Sequence, residues 1–526
     1  LGTMQRMRKL KGHFYNWYDT RDLRVLDPAY VSSVDSGNLA GHLIVLANAC
    51  EGGTAAPSVE AARSGLFDTL SLAQAAAEAL PNGSRSEAAV LLAEIGDQLG
   101  SAQPLESLLP ALSRLAQKAG IAAEGILSAG AGKDDAPDLV FWISALKATI
   151  GGHARGLAAD DTTRTDVAAR MTALAATARE MALAMDFAFL LDADRKLLSI
   201  GYSATDNRLD TNCYDLLASE ARLASLIAIA KGDLPTRHWF RLGRSATPLG
   251  AGSALISWSG SMFEYLMPVL VVREPESSLL AQTDRLVVAR QQAYGRERGV
   301  PWGISESAFN ARDLEFTYQY SNFGVPGLGL KRGLASNLVI APYATGLAAM
   351  LDPPGACENF ARLADLGAVG RYGFYEALDF TKARVPDGAR VAIVRNFMAH
   401  HQGMTIVAIA NVLQDGRMRA RFHREPMIRA VDLLLHERMP RDVAVAHPRA
   451  EEVKLAAAEP DPGLPLMRRY AGPPLGAPVT QLMSNGRYAV MLTASGSGYS
   501  RWGEIGVTRW REDATRDDSG SFVYLK

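Results

Sequence analysis

Cysteine is scarce: three residues in 526, Cys50, Cys213 and Cys357. They are far apart, odd in number and without a C-x-x-C spacing, which argues against a disulfide framework or a cysteine zinc site and fits a reducing compartment. No run of about 18 apolar residues occurs, so no segment reads as a membrane-crossing helix. Excess charge of one sign is missing too. The formal net charge is −1, and no Lys/Arg cluster is long enough to track a phosphate backbone, so nucleic acid is not expected as a partner. There is no H-E-x-x-H, and the adjacent His400 and His401 lack the i, i+4 spacing of a helical metal pair; no metal is expected. Gly324, Gly327, Gly329 and Gly333 fit neither the dinucleotide fingerprint nor the P-loop, so no cofactor is expected. No G-x-S-x-G elbow stands out, which disfavours a serine hydrolase.

What is present is an ordinary globular composition, 48% hydrophobic and 21% charged, with strong helical patterning. Four regions are expected. Residues 1–53 form an opening segment and the first barrel helix. Residues 54–186, rich in Ala and Leu, form a helical scaffold with helices near 58–80, 86–100, 103–119, 136–158 and 163–185. Residues 187–450 carry the polar and aromatic loops. Residues 451–526 begin with a proline-rich linker and continue as a β-rich segment with Asn-Gly turn chemistry. Within 187–450 the pattern predicts a hairpin around Asp192–Arg195. It also predicts helices at about 216–230, 279–298, 337–350, 355–366, 387–414 and 418–438, with a loop at 367–381. Polar clusters fall between helices rather than on them. This favours a mainly α fold, an (α/α)6 toroid with an added helical N-terminal region and a short C-terminal β-rich segment. A superhelical array is the competitor, but no fixed repeat of about 30–45 residues appears. Leu1-Gly2-Thr3-Met4 and a strand pattern reaching Lys526 read as the ends of a piece cut from a longer protein.

The densest chemistry runs from Tyr294 to Leu334, where Trp, Tyr, Arg, Glu, Asn and Gly crowd together in a way that core packing does not explain. Sugar sites need flat aromatic faces, hydrogen-bonding side chains and carboxyls. Glu306, beside Trp302, is the leading candidate acid: a neighbouring indole supplies a sugar platform and a drier setting that raises a carboxyl pKa. Glu306, between Ser305 and Ser307, also reads as part of a helix-capping box. Glu376, in Tyr372-Gly373-Phe374-Tyr375-Glu376, is the second carboxyl, with Asp379 as its stand-in. Glu264, between Phe263 and Tyr265, is either a structural partner or a substrate ligand. Asp35 is either a cap or a hydroxyl binder. One of His400 and His401 faces the cleft, or is a satisfied core histidine. The glycines of 324–333 read as a tight loop that lets backbone approach the cleft.

Several of these stretches resemble a known family. YGRERGVPWGISESAFN, YQYSNFGVPGLGLKRGL, VIAPYATGLAAM, GRYGFYEALDFT and MAHHQGM, in this order, resemble the glycoamylase-like middle domain of bacterial cyclic β-1,2-glucan synthases. GHFYNWYDT and YVSSVDSGNLAGHL resemble the start of that domain. SNGRYAVMLTASGSGYSRWGEIGVTRW resembles its junction with a phosphorylase-like domain; residues 55–185 match in helical character alone. The resemblance implies an (α/α)6 barrel that closes linear β-1,2-glucan into a ring by transglycosylation. It implies a parent in the bacterial inner membrane, with a membrane glycosyltransferase domain and a phosphorylase-like domain as neighbours and this part on the cytoplasmic side. Many glycoamylase-like relatives carry Asp-Gln-Gly where this chain has His401-Gln402-Gly403, so a water-activating base is lost and retention is favoured. Glu306 and Glu376 would then be nucleophile and acid/base, in an order the residues leave open. Subsite contacts would come from Trp302, Trp258, Tyr318, Tyr320, Tyr375 and Arg371, with Glu264, Asp379, His400, His401, Gln402 and Asp35 as further contacts. The alternatives are an endo-β-1,2-glucan hydrolase and a non-catalytic glucan-binding module.

Overall fold

A computed structural model describes residues 1–52, 58–80, 86–129, 136–250, 252–439, 480–493 and 497–508. They belong to two units, Leu1–Ala457 and Ala458–Lys526. The protein is mainly α with small sheets. Among the described residues no helix is long and apolar enough to cross a membrane.

The Ala/Leu-rich region divides in two. Val59–Glu78, Glu87–Gly100, Leu105–Ser128 and Ala136–Ala158 pack as a four-helix bundle around their own core, which includes Leu66, Leu70, Leu92, Ile95, Leu112 and Ile143. Two of these helices open on serine caps: Ser58 Oγ accepts from the Ala61 amide at 3.1 Å and Ser86 Oγ from that of Ala89 at 3.2 Å, satisfying amides that a helix start leaves without partners. The fifth helix, Asp161–Leu183, leaves this bundle. It packs against Ser33–Gly52, and its Ala175, Ala178, Met181 and Ala182 join the main core.

Ser33–Gly52 is the axis of that main core. It lies against Asp161–Leu183, against the buried helix Arg222–Lys231 and against Arg417–His423. The approach to Arg222–Lys231 is close enough that a Cβ on Gly37 would sit 2.3 Å from the Ala224 Cβ; no side chain larger than hydrogen fits there. Leu279–Arg298 forms as the periodicity predicts, and the strands Leu191–Asp192 and Leu197–Leu198 flank the expected turn.

Four expected helices differ, the first of them, 216–230, being helical only from Arg222. Residues 337–350 begin as a strand, Val339–Ile340, and the helix Pro342–Ala348 starts on its proline, whose fixed φ and missing N–H suit a first helical position. Of 387–414 only Ala399–Leu413 is helical. Upstream, Ala392–Val394 pairs with Ala377–Asp379, which also pairs with Val339–Ile340 to complete a three-stranded sheet. The stretch 418–438 is interrupted at Pro426, with Glu425 before it extended, giving Arg417–His423 and Pro426–Ala430. The expected loop 367–381 contains the hairpin Val369–Gly370/Gly373–Phe374 and the strand Ala377–Asp379.

In the second unit the described strands Thr480–Ser484, Tyr488–Thr493, Gly498–Trp502 and Ile505–Gly506 form an antiparallel meander. Its first turn uses Asn485-Gly486, with Gly486 at φ 87° and the Asn485 side chain accepting from the Tyr488 amide at 2.8 Å. The proline-rich linker and the pattern from 509 to 526 lie outside the described residues.

Candidate active site

Glu306 is delivered by a segment held residue by residue. Asn359 accepts from the Trp302 amide at 3.1 Å and donates to its carbonyl at 2.9 Å. Buried Gln291 does the same for Ile304, at 2.9 and 2.7 Å. The Ser305 hydroxyl lies 2.7 Å from the Tyr343 hydroxyl, which donates to the Glu306 carbonyl at 2.9 Å. The hairpin Ser307–Arg312/Tyr318–Ser321 follows at once, with Ala308 opposite Tyr320. From that register Tyr320 reaches back, and its hydroxyl donates to Glu306 Oε1 at 2.8 Å.

The Glu306 carboxyl opens into a cavity of about 470 Å³, also lined by Glu220, Glu264, Trp258, Tyr214 and Arg195. Glu220 was not among the expected residues. It lies just before Arg222–Lys231, and Arg222 fixes its surroundings: the buried guanidinium donates to the carbonyls of Ser219 at 3.2 Å, Glu264 at 3.0 Å and Tyr265 at 2.5 Å. It also pairs with Glu274 at 3.0 Å. One cation thus ties the two segments that carry Glu220 and Glu264. The signal for this in the sequence was a charged pair, Glu220 and Arg222, interrupting an otherwise apolar run.

The electrostatics separate these carboxyls. Burial, reinforced by the charges of Glu264 and Glu306, pushes Glu220 up to about 8. Burial pushes Glu306 up to about 7, with Glu264, Asp35 and Glu376 adding to the rise and the Tyr320 hydrogen bond opposing it. Two neighbouring carboxyls that resist ionising together hold a proton near neutral pH. Glu264 is different. It receives Ser257 Oγ at 2.8 Å, Ser259 Oγ at 2.7 Å, the Ser259 amide at 2.9 Å and the Ser261 amide at 3.1 Å, and it closes a capping box with Ser261. Its lone pairs are committed to the loop that presents Trp258.

The other expected residues scatter. Trp258 is 58% exposed and lines the cavity, whereas Trp302 is 5% exposed and sits in the main core, so it offers the cavity no platform. Asp35, exposed in the first turn of Ser33–Gly52, is near enough to act on Glu306 and Tyr214. Tyr318 is covered by Arg312, which donates to its hydroxyl at 2.7 Å. Arg371 pairs with Asp138 of the four-helix bundle instead of facing the cavity. Asp379 is fully buried in a structural pair, accepting from Arg384 at 2.6 Å and from the Asn310 amide at 3.1 Å, which removes it as a stand-in for Glu376.

Glu376 and His401 meet away from this cavity. Glu376 accepts from the Ala308 amide at 3.1 Å, and His401 Nδ1 lies 2.9 and 3.0 Å from its two oxygens. Both line a separate pocket of about 110 Å³ with Tyr375, Gln402 and Phe374. Gln402 donates to the Phe374 carbonyl at 3.2 Å. Exposed His400 stacks obliquely on His401 with ring centroids 4.0 Å apart. The glycines of 324–333 approach backbone, as expected, but that of the Trp258 loop: a Cβ on Gly324 would lie 1.8 Å from the Ser259 carbonyl oxygen.

Residues 212–426, which hold Glu220, Glu306, Glu376 and His401, match the Glycoamylase family, described as a glucoamylase. Residues 464–526 match the supersandwich domain of glycosyl hydrolase 94. Over 541 aligned positions, covering all of this chain, it is 46% identical to the cyclic beta-(1,2)-glucan synthase NdvB of Rhizobium meliloti (strain 1021). The chain is a relative of the cyclic β-1,2-glucan synthases. It spans 19% of the length of that relative.

Proposed function

We propose that this chain is the ring-closing part of a cyclic β-1,2-glucan synthase, a retaining transglycosylase whose helices complete an (α/α)6 barrel and whose reacting carboxyls are Glu220 and Glu306. The observation that carries this is the pair itself: two carboxyls, both raised toward neutrality, facing one cavity beside an exposed indole. A retaining enzyme needs one ionised carboxylate and one protonated carboxyl across the scissile bond. The carboxylate attacks the anomeric carbon of an internal linkage. The carboxyl gives its proton to the departing 2-oxygen, and the reducing-end fragment leaves. The emptied carboxylate then takes the proton of the 2-hydroxyl at the chain's own non-reducing end, and that oxygen displaces the enzyme. One glycosidic bond breaks and one forms. Glu376, with its oxygens engaged by His401 and the Ala308 amide, supports the site in this reading rather than touching the sugar. Trp258 gives the platform and Asp35 a contact at the cavity.

In the parent protein the donor would be linear β-1,2-glucan from a membrane glycosyltransferase domain, on the cytoplasmic side of the inner membrane, with a phosphorylase-like domain after the supersandwich. The test is incubation of the 526-residue chain with linear β-1,2-glucan and mass spectrometry of the products. Rings lighter than linear chains of equal length by one water, about 18 mass units, are expected. Shorter linear products alone would make it a hydrolase, and unchanged glucan that still binds would make it a binding module.

A further inference from the structure

The Glu376–His401 pair is joined to Glu306 by one side chain. His401 Nε2 lies 3.3 Å from the Tyr320 hydroxyl, and that hydroxyl donates to Glu306 Oε1 at 2.8 Å. His401 is 1% exposed and clamped in plane: Tyr343 stacks on it at 3.7 Å and 9°, and Tyr320 lies across it at 6.1 Å and 25°. A continuous path of hydrogen bonds therefore runs Glu306–Tyr320–His401–Glu376.

Counting protons gives this path a direction. A tyrosine hydroxyl has one proton. When Tyr320 gives it to Glu306, His401 Nε2 must be the donor to the Tyr320 oxygen. With Glu376 ionised, His401 Nδ1 also carries a proton, because both oxygens of Glu376 face it and one of them already accepts from the Ala308 amide. When His401 lacks its Nε2 proton, Tyr320 turns its own proton toward that nitrogen, and Glu306 loses its donor.

We propose that Glu376 is a positioning residue for Glu306: it keeps a proton on each nitrogen of His401, so that His401 donates to Tyr320 and Tyr320 is fixed as donor to Glu306. The inference rests on Glu306 being one of the reacting carboxyls. It gives His401 a task other than activating water. It also makes the pair a proton store two hydrogen bonds from the reaction, since His401 Nε2 can give its proton to Tyr320 as Tyr320 gives its own to Glu306, with no change in the total. The other ionisable groups around Glu306 are Glu220, Glu264, Arg195 and Asp215, which line the cavity with it, Asp35 near enough to act on it, Tyr214 and Tyr343 against it, and His400 beyond His401. Among the described groups near Glu306, Tyr320 is the side-chain donor to its carboxyl.

The experiment is the pH profile of kcat/KM for glucan transfer by the full chain carrying Tyr320→Phe, Glu376→Gln and both together. Removing the Tyr320 donor disfavours the ionised carboxyl, so one limb should move up by about one pH unit. Glu376→Gln frees His401 to take the Tyr320 proton and should move the same limb the same way. The double variant should move no further than Tyr320→Phe alone. If Glu376 acted on Glu306 only as a like charge through space, Glu376→Gln would move the limb down. A downward shift, no shift, or additive shifts would each overturn the proposal. Tyr320 is 41% exposed, so its variant keeps the test usable should Glu376→Gln misfold; a limb unmoved in Tyr320→Phe overturns the proposal by itself. Failure of the underlying reading has its own signature, since Glu306→Gln would then keep full activity.

Discussion

The four-helix bundle of residues 59–158 and the core around Ser33–Gly52 are both helical, yet they bury different chemistry. The bundle core consists of Leu, Ile and Ala, and among the described residues of 59–158 no polar side chain is fully buried. The other core encloses Arg222, Glu264, Asp284, Glu376, Asp379 and His401. Aliphatic packing gives stability without direction. Buried charge costs several kcal/mol per ion unless it is paired and hydrogen-bonded, so it persists where geometry must be held. Most of these groups hold other groups: Arg222 the Glu220 and Glu264 segments, Asp379 the hairpin of Asn310, Glu264 the Trp258 loop. Glu220 and Glu306 instead line an open cavity, and burial raises both of their pKa values.

The largest expected effect separates the two regions by activity. Glu220→Gln and Glu306→Gln should each lower the rate of glucan transfer by about 10²–10⁴-fold with the thermal transition preserved. Leu92→Ala in the bundle should leave the rate per folded molecule unchanged. Equal losses in both regions would erase the contrast. Next comes Arg222→Ala, which leaves Glu274 and Asp284 buried without their cation and should cost about 3–5 kcal/mol in urea unfolding. Leu92→Ala should cost about 2–5 kcal/mol through the cavity it opens. If Arg222→Ala proved the milder of the two, the view of that arginine as the clamp of the site would fail.

The sequence was most legible where a single rule governs. The helices Leu279–Arg298 and Ala136–Ala158 fall where apolar period and breakers put them, and so do the turns at Asp192 and Asn485. Glu306 stood out because aromatic, polar and glycine residues cluster around it. Glu220 did not, because the charged pair Glu220 and Arg222 marks an interrupted apolar run without saying which cavity it faces; tertiary packing brings Glu220 to Glu306 from 86 positions away (306 − 220). Glu376 and Asp379 have similar aromatic surroundings in the sequence, but one accepts from His401 and the other from Arg384. Those partners come from elsewhere in the chain, so spacing could not tell a positioning carboxylate from a structural one. The strand Ala392–Val394 was hidden for the same reason, since its pairing with Ala377–Asp379 is set by tertiary contact.

A smaller effect concerns pH. The folded-state pKa values of Glu220 and Glu306 lie above their ordinary carboxyl value, at about 8 and about 7. Below an unfolded pKa of about 4.3 both states are protonated and nothing is lost. As pH rises toward 7–8 the unfolded chain has released protons that the folded one keeps, so folding stability declines across that window. Glu306→Gln should make this decline shallower, and the equivalent change at an exposed bundle acid, Glu106→Gln, should not. A wild-type melting temperature that rises steadily from pH 5 to pH 8 would contradict the raised values.

The smallest effect asks whether one residue type does two jobs. Trp258 and Trp302 both looked like sugar platforms, but the first is 58% exposed at the cavity and the second 5% exposed, hydrogen-bonded through its backbone to Asn359. A stacking face contributes to binding in ground and transition states alike, so its removal acts on KM. Trp258→Ala should raise KM for linear glucan by about tenfold, worth ~1.4 kcal/mol, with kcat and unfolding midpoint little changed. Trp302→Phe should do the reverse, leaving KM in place and lowering the midpoint, because the smaller ring leaves space in a packed core. The pair is informative because each variant is the other's control. Were Trp302→Phe to raise KM as Trp258→Ala does, the indole buried behind Glu306 would be shaping the cavity through the 302–306 segment, and the division between holding and touching would run one residue layer further out.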